Sequence, residues 1–320
     1  MLARSGALTA GAVAAVETAA GEGAWSRHAR LALRYAPGSA GERPASLFLK
    51  QVTGFGRSEV EYYTRDYAGL AGAPLLRCHD AEWADGGYHL LLDDVSATHA
   101  NGFDLEWTDA HCDAVADGLA ALHAHRWDEP APPAALDAYL GHIARGLEPL
   151  LALAGLDPAR EVLLVETLER APAVMRARLA GACLVHGDVN PGNVLLPRAG
   201  AGPVYLIDRQ PFEWSLTRWL GVSDLAYLMC AFWPAEQRRA RERRMLSRYH
   251  AGLLALGVRG YDFDALWDDY RLCAMQTAHV AIEWCVLAGD RERMRWLWSA
   301  QLERAFAAMD DLGSATLWRP

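Results

Sequence analysis

The stretch Cys183-Leu184-Val185-His186-Gly187-Asp188-Val189-Asn190-Pro191-Gly192-Asn193-Val194-Leu195-Leu196 changes texture twice. Apolar residues lead in, a polar loop of Gly, Asn and Pro follows, and an apolar run leads out. A Gly/Pro turn, Pro197 to Pro203, then precedes Val204-Tyr205-Leu206-Ile207-Asp208. That order predicts two short strands joined by a turn, with a polar loop at the mouth of the hairpin.

Upstream, Arg27 to Tyr35 alternates Leu31, Leu33 and Tyr35 with Arg30, Ala32 and Arg34, which predicts a strand. Pro37 to Pro44 supplies a turn, and Ala45 to Val52 completes a hairpin. Tyr88 to Val95 is a further apolar strand ending in Asp93-Asp94. Ser58 to Leu70 has helical spacing, with Ser58 placed to cap it and Glu61 three positions on. The Ala-rich run Ala7 to Val16 is expected to form a short helix. Trp107 to His123, Glu161 to Leu179 and nearly everything after Ser223 are helical in pattern. The fold class is therefore α+β, with a strand-rich first third and a helical body holding one embedded hairpin.

Phosphoryl transfer needs cations to neutralise phosphate, a carboxylate near the acceptor hydroxyl, and oxygen ligands for Mg²⁺. Asp188 and Asn193 stand five positions apart, the spacing of a kinase catalytic loop. Such a loop aims one carboxylate at the acceptor and returns an amide oxygen to the metal. Asp208 ends the second hairpin strand, where a second metal carboxylate would sit. Lys50 follows Leu47, Phe48 and Leu49 near a strand end, and burying it requires an anionic partner. Phosphate oxygens would serve, as would a helix carboxylate, with Glu59 the first choice and Glu61 the second.

Across most of its length the chain resembles the aminoglycoside phosphotransferase and choline kinase-like superfamily, and within it the branch with ecdysteroid-kinase-like proteins. The resemblance rests on S-L-F-L-K at Ser46 to Lys50, E-V-E-Y-Y at Glu59 to Tyr63 and L-L-L-D-D-V at Leu90 to Val95. It continues through H-G-D-V-N-P-G-N, L-I-D at Leu206 to Asp208, D-L-A-Y at Asp224 to Tyr227 and D-D-Y-R at Asp268 to Arg271. It implies a two-lobed, protein-kinase-like fold, with a small mixed β-sheet lobe over residues 1–95 and a mainly helical lobe over 96–320. It also implies ATP and Mg²⁺ as cofactors. Lys50 would contact the α- and β-phosphates, Asp188 would be the catalytic base, and Asn193 and Asp208 would hold the metal. Asp93, Asp94 and Val95 would form the hinge that meets the base, and Gly21-Glu22-Gly23 the sparse nucleotide loop. The chain departs from the family at Arg209, where an aromatic is usual. Arg209 is open to contacting phosphate, substrate or Glu213.

Partners follow from composition and pattern. The formal net charge of -9 argues against a nucleic-acid binder, which normally carries a basic face. No apolar stretch reaches the ~20 residues of a membrane span. The six cysteines lack any C-x-x-C pair, which fits reduced thiols and a cytoplasmic setting. Arg238, Arg239, Arg241, Arg243, Arg244 and Arg248 read as a solvated helix face, and His123 and His125 as helix-end packing. Tryptophans such as Trp296 and Trp298 are core or pocket wall. The partner expected is a small hydroxyl-bearing acceptor, such as an aminoglycoside or another antibiotic. A pseudokinase that only binds ligand, and a kinase of a protein partner, are the alternatives. The segment after Asp208 carries no A-P-E motif and is short for a peptide platform, which favours the small acceptor.

Overall fold

The structure is a computed structural model that describes residues 1–22, 26–84, 86–178, 180–209 and 211–319. The chain folds as two compact units, Met1–Glu106 with Asn193–Phe212, and Trp107–Gly192 with Glu213–Pro320. A cut at Val95 differs from this division. The first unit extends to Glu106 and takes back the embedded hairpin, because that hairpin hydrogen-bonds to the strand that follows Val95.

The first unit begins with β1 (Leu8–Ala10) and β2 (Val13–Glu22), where a helix was expected over Ala7 to Val16. Alanine is the best intrinsic helix former, but propensity is worth at most about 1 kcal/mol per residue, which tertiary strand pairing readily overrides. Here β2 pairs with β3 (Ser26–Tyr35) along almost its whole length, while Ala7 and Leu8 join the core with Leu2, Leu47 and Leu91. β4 (Ala40–Gly41) pairs with β1. β5 (Ser46–Thr53) pairs with β3, as the alternation predicted. The helix α1 (Ser58–Glu61) runs into a wider π-helical turn at Tyr62–Asp66 and stops short of Leu70. There the rings of Tyr62, Tyr63 and Tyr67 pack edge to face. β6 (Cys78–Ala84) and β7 (Gly87–Asp93) complete an antiparallel sheet in the order β2-β3-β5-β7-β6. β8 (His99–Asn101) lies outside it.

The second unit starts with α2 (Asp109–His125), capped by Thr108 through a capping box with His111. α3 (Pro133–Ala154) follows. The single helix expected over Glu161 to Leu179 is two, α4 (Pro158–Glu169) and α5 (Ala171–Ala177). Pro172 lacks the N–H that a continuous helix needs there. β9 (Ala182–Leu184) leads into the polar loop. The chain then enters the first unit as β10 (Val194–Pro197) and β11 (Tyr205–Leu206), the predicted hairpin, which adds β8 to form a three-stranded sheet. β12 (Arg218–Leu220) pairs with β9 back in the second unit. α6 (Val222–Ala226), a π-helical stretch Tyr227–Phe232, α7 (Ala235–Ala255), α8 (Phe263–Glu283), α9 (Ala288–Arg293) and α10 (Arg295–Leu312) finish the chain.

Four of the six α7 arginines, Arg239, Arg243, Arg244 and Arg248, are exposed as expected, but the face they form is paired with acids as well as solvated. Arg248 donates to both Asp117 oxygens (2.7 and 2.6 Å) and Arg244 to both Asp113 oxygens (3.1 and 2.8 Å). Acids four apart on α2 meet arginines four apart on α7, so one helical face answers the other. Arg238 is buried, and it donates to Glu242 Oε2 (2.5 Å) and to Asp311. Among the described residues no helix is long and apolar enough to cross a membrane.

Candidate active site

In the first unit, β5 carries Lys50 inward and α1 carries Glu59 toward it. Lys50 Nζ donates to both Glu59 oxygens (2.9 and 2.8 Å) and to Asp208 Oδ1 (2.7 Å). The Tyr88 hydroxyl on β7 also donates to Glu59. Lys50 and Glu59 are both buried, while the Asp208 side chain is 42% exposed. The structure therefore brings together Lys50, Glu59 nine positions on, and the remote Asp208. Glu61, the second choice of partner, instead accepts from Arg65 at 2.9 Å.

The hairpin places two oxygen donors at one end. Val194 faces Leu206, and the Ile207 N–H donates to the Asn193 carbonyl at 3.0 Å, so Asn193 and Asp208 lie at the open mouth of β10 and β11. Asp208 has φ +67, a left-handed backbone uncommon outside glycine. One amide and one carboxylate fit a hard ion that keeps several waters and binds phosphate oxygens.

Asp188 belongs to the second unit. Its loop is anchored by Asp224, whose carboxylate accepts from the His186 and Gly187 N–H groups, both at 2.8 Å. His123 Nε2 meets the same carboxylate at 3.1 Å and holds Tyr249 with its other ring nitrogen at 2.8 Å. Burial works to raise the Asp224 carboxyl, but His123, His186 and the Gly187 N–H hold it below the usual range. Gly187 takes φ +84, which lets the loop turn onto this anchor. Asn190 Nδ2 donates to Asp188 Oδ1 (2.8 Å), fixing one oxygen and leaving the carboxylate half-exposed.

The expected hinge sits where β7 ends. Asp93 pairs with His79 Nε2 at 2.7 Å, and Asp94 accepts from the Ser96 N–H at 3.0 Å. Burial works to raise the Asp94 carboxyl, but Ser96, Ser46 and Arg30 lower it overall. The Val95 carbonyl accepts from the Thr98 and His99 N–H groups (2.9 and 2.8 Å), so it closes a turn. Gly21 lies within β2, opposite His28, and not in a loop as the resemblance implied. A Cβ there would meet His28 Nε2 at 2.4 Å, so the imidazole covers that glycine. Gly23 lies outside the described residues.

Three neighbours of these groups were given no definite site role from sequence. Tyr227 begins a π-helical stretch, a feature frequent at functional sites. Its phenol is raised well above its ordinary range by burial first and then by Asp188 and Glu283. Asp224 and Tyr227 both stand in the D-L-A-Y motif, but nothing in that motif alone says that one anchors the loop and the other faces Asp188. The third is Arg209, which is buried and donates to Ser58 Oγ at 2.6 Å, within the first unit.

Solved structures share this architecture. Aminoglycoside phosphotransferase APH(4)-Ia, a thermostable mutant in ternary complex with ADP and hygromycin B, is 16% identical, covering 92% of this chain and 95% of that chain at a TM-score of 0.52. A choline/ethanolamine kinase family protein from Mesorhizobium loti is 13% identical, covering 85% and 88% at 0.53. ADP-bound aminoglycoside phosphotransferase APH(2'')-Ib is 13% identical, covering 93% and 94% at 0.50. At these identities the likeness is one of fold, a mixed α+β kinase-like architecture. No curated protein matches the chain. The phosphotransferase enzyme family APH matches residues 70–267, more than half of the sequence and the part that holds Asp188, Asn193 and Asp208, and the chain belongs to that family.

Proposed function

We propose that the protein transfers the γ-phosphate of ATP, with Mg²⁺, to a hydroxyl of a small molecule. The observation that carries this reading is Lys50, a buried cation held by Glu59 and Asp208 at bonding distance. A cation so placed is pre-organised for phosphate oxygens, and it needs little rearrangement to receive them. In this reading Lys50 binds the α- and β-phosphates and Glu59 orients it. Asn193 and Asp208 hold Mg²⁺, which when bound neutralises charge on the transferring phosphate. Asp188 accepts the acceptor's proton, its free orientation limited by Asn190. Gly21 and Gly23 belong to the segment over the phosphates, and Asp93, Asp94 and Val95 to the segment meeting the base. The first unit serves the nucleotide and the second the acceptor. The six free thiols suit a cytoplasmic enzyme.

A small acceptor is supported by the short run between Asp208 and β12. Around Asp188 the second unit offers Tyr227 and, beyond it, Glu283, whose carboxylate lies 3.5 Å from His142 Nε2. His142 stacks on Trp214 with ring centroids 4.1 Å apart. An aromatic wall beside a half-buried carboxylate suits a polyhydroxylated acceptor bearing an amine, as in an aminoglycoside antibiotic.

The test measures ADP release across aminoglycosides, nucleosides, macrolides, choline-like alcohols and steroids, in the wild type and in Asp188→Asn. We expect at least one compound to be phosphorylated and Asp188→Asn to lower that turnover by about 10²-fold or more while ADP still binds. Activity of the variant within about threefold of wild type removes Asp188 as the base. Label entering only protein favours the protein-kinase alternative, and nucleotide binding without transfer to any class favours the pseudokinase.

A further inference from the structure

Arg209 is one position at which the sequence departs from the family it resembles, and it makes two contacts within the first unit. The guanidinium is buried, with the residue 2% exposed. Nη1 donates to Ser58 Oγ at 2.6 Å, and the cation lies 5.9 Å from the centre of the Tyr62 ring. Ser58 and Tyr62 stand four apart, so Arg209 lies along one stripe of the helix that begins at Ser58. This accounts for the missing cap. Ser58 was expected to close its own helix, but the helix has no side-chain cap at its start, and the Ser58 hydroxyl receives Arg209 instead.

The two ends of this contact each adjoin a group that holds Lys50. Glu59 follows Ser58, and Asp208 precedes Arg209. Lys50 Nζ bonds both carboxylates at 2.7 to 2.9 Å. A guanidinium keeps its charge when buried and presents a rigid planar fork, so it suits a fixed connection better than an ammonium would. The left-handed backbone at Asp208 turns the chain so that Asp208 and Arg209 point to different partners. We infer that Arg209 is a positioning residue that fastens the Glu59 helix to the Asp208 strand end through Ser58, and so sets the distance across which Lys50 and a Mg²⁺-nucleotide are held. The inference rests on the nucleotide reading above.

The test titrates ADP, with and without Mg²⁺, into wild type, Ser58→Ala, Ser58→Thr, Arg209→Met and the Ser58→Ala/Arg209→Met double variant by calorimetry. Thermal melts run alongside confirm that each protein is folded. Ser58→Ala removes one oxygen and serves as the mild variant if Arg209→Met fails to fold. We expect Ser58→Ala and Arg209→Met each to weaken Mg²⁺·ADP binding by about tenfold, with little change for ADP alone, because Asp208 acts through the metal. Ser58→Thr restores the hydroxyl and should bind like wild type. The double variant should be no weaker than Arg209→Met, since both changes break one contact. Losses that add, equal losses with and without Mg²⁺, or a Ser58→Ala protein that binds like wild type would each reduce Arg209 to packing. A wild type that binds no Mg²⁺·ADP overturns the nucleotide reading itself, and the inference with it, before any variant is measured.

Discussion

Two ionic clusters, one in each unit, contrast in what they hold. Around Lys50 the charges are buried beneath a sheet and converge on one ammonium, while Asp208 stays partly open. Between α2 and α7 the charges are spread along an open ladder, with Arg244 reaching Asp109 and Asp113 and Arg248 reaching Asp113 and Asp117, and Arg248 and Asp117 are each about half exposed, 46% and 48%. Burying an ion pair costs several kcal/mol per ion in desolvation, which the mutual attraction only partly offsets. An exposed pair costs little and returns at most about 1 kcal/mol. In the proposed function the open corner of the buried cluster is where phosphate and metal meet Lys50 and Asp208. The exposed pairs need no such explanation, because they align two helices and fill the surface.

The largest expected effect breaks the first cluster. The Glu59 side chain is 1% exposed, so it does not regain water when Lys50 is lost. Lys50→Ala should therefore destabilise the fold by about 3–5 kcal/mol as well as abolishing turnover. The double variant Lys50→Met/Glu59→Leu removes both charges and should melt close to wild type, with turnover still lower by at least about 10²-fold. A double variant that keeps turnover would place the cluster among purely structural pairs.

Arg238 sharpens the comparison, because it is buried like Lys50 but sits among the α7 arginines. Removing it leaves the buried Glu242 without its cation, while Asp311 keeps Arg239. Arg238→Ala should lower stability by about 3–5 kcal/mol in urea unfolding while kcat of the folded protein is unchanged. A large kcat effect at constant stability would mean that burial of charge marks function in both units.

Glu283 lies between the two extremes. Burial first, and Asp290 second, raises its carboxyl from 4.5 to about 7. The folded protein thus binds a proton that the unfolded chain releases between those values, and stability falls as pH climbs from about 4.5 to 7. Glu283→Gln should remove that slope and stabilise the protein above pH 7 by at most about 3 kcal/mol. Urea midpoints at pH 5 and pH 8 check it, and parallel pH profiles for the two proteins would show that Glu283 is not the group responsible. The smallest effect is expected at Arg248→Ala, no more than about 1 kcal/mol and no change in turnover. A larger loss would mean that the α2–α7 ladder acts cooperatively, and would blur the distinction.

Short-range patterns determined much of this protein. The alternation in Arg27 to Tyr35, the loop from His186 to Asn193 and the strand ending at Asp208 are all local, and local hydrogen bonding and side-chain period are what sequence records most directly. The pairing of Lys50 with Glu59 was also legible, because a lysine among Leu47, Phe48 and Leu49 demands a nearby anion. Tertiary structure decided the rest, wherever the partner was remote. Ala7 to Val16 became largely strand because Leu8 to Ala10 found β4 and Val13 onward found β3, and the arginines of α7 found acids on α2, about 130 positions earlier. Asp224 reached back to the His186 loop and Arg209 to Ser58, 151 positions away. Each of these depends on which buried polar group remains to be satisfied once the units have packed, and no run of neighbouring residues carries that information.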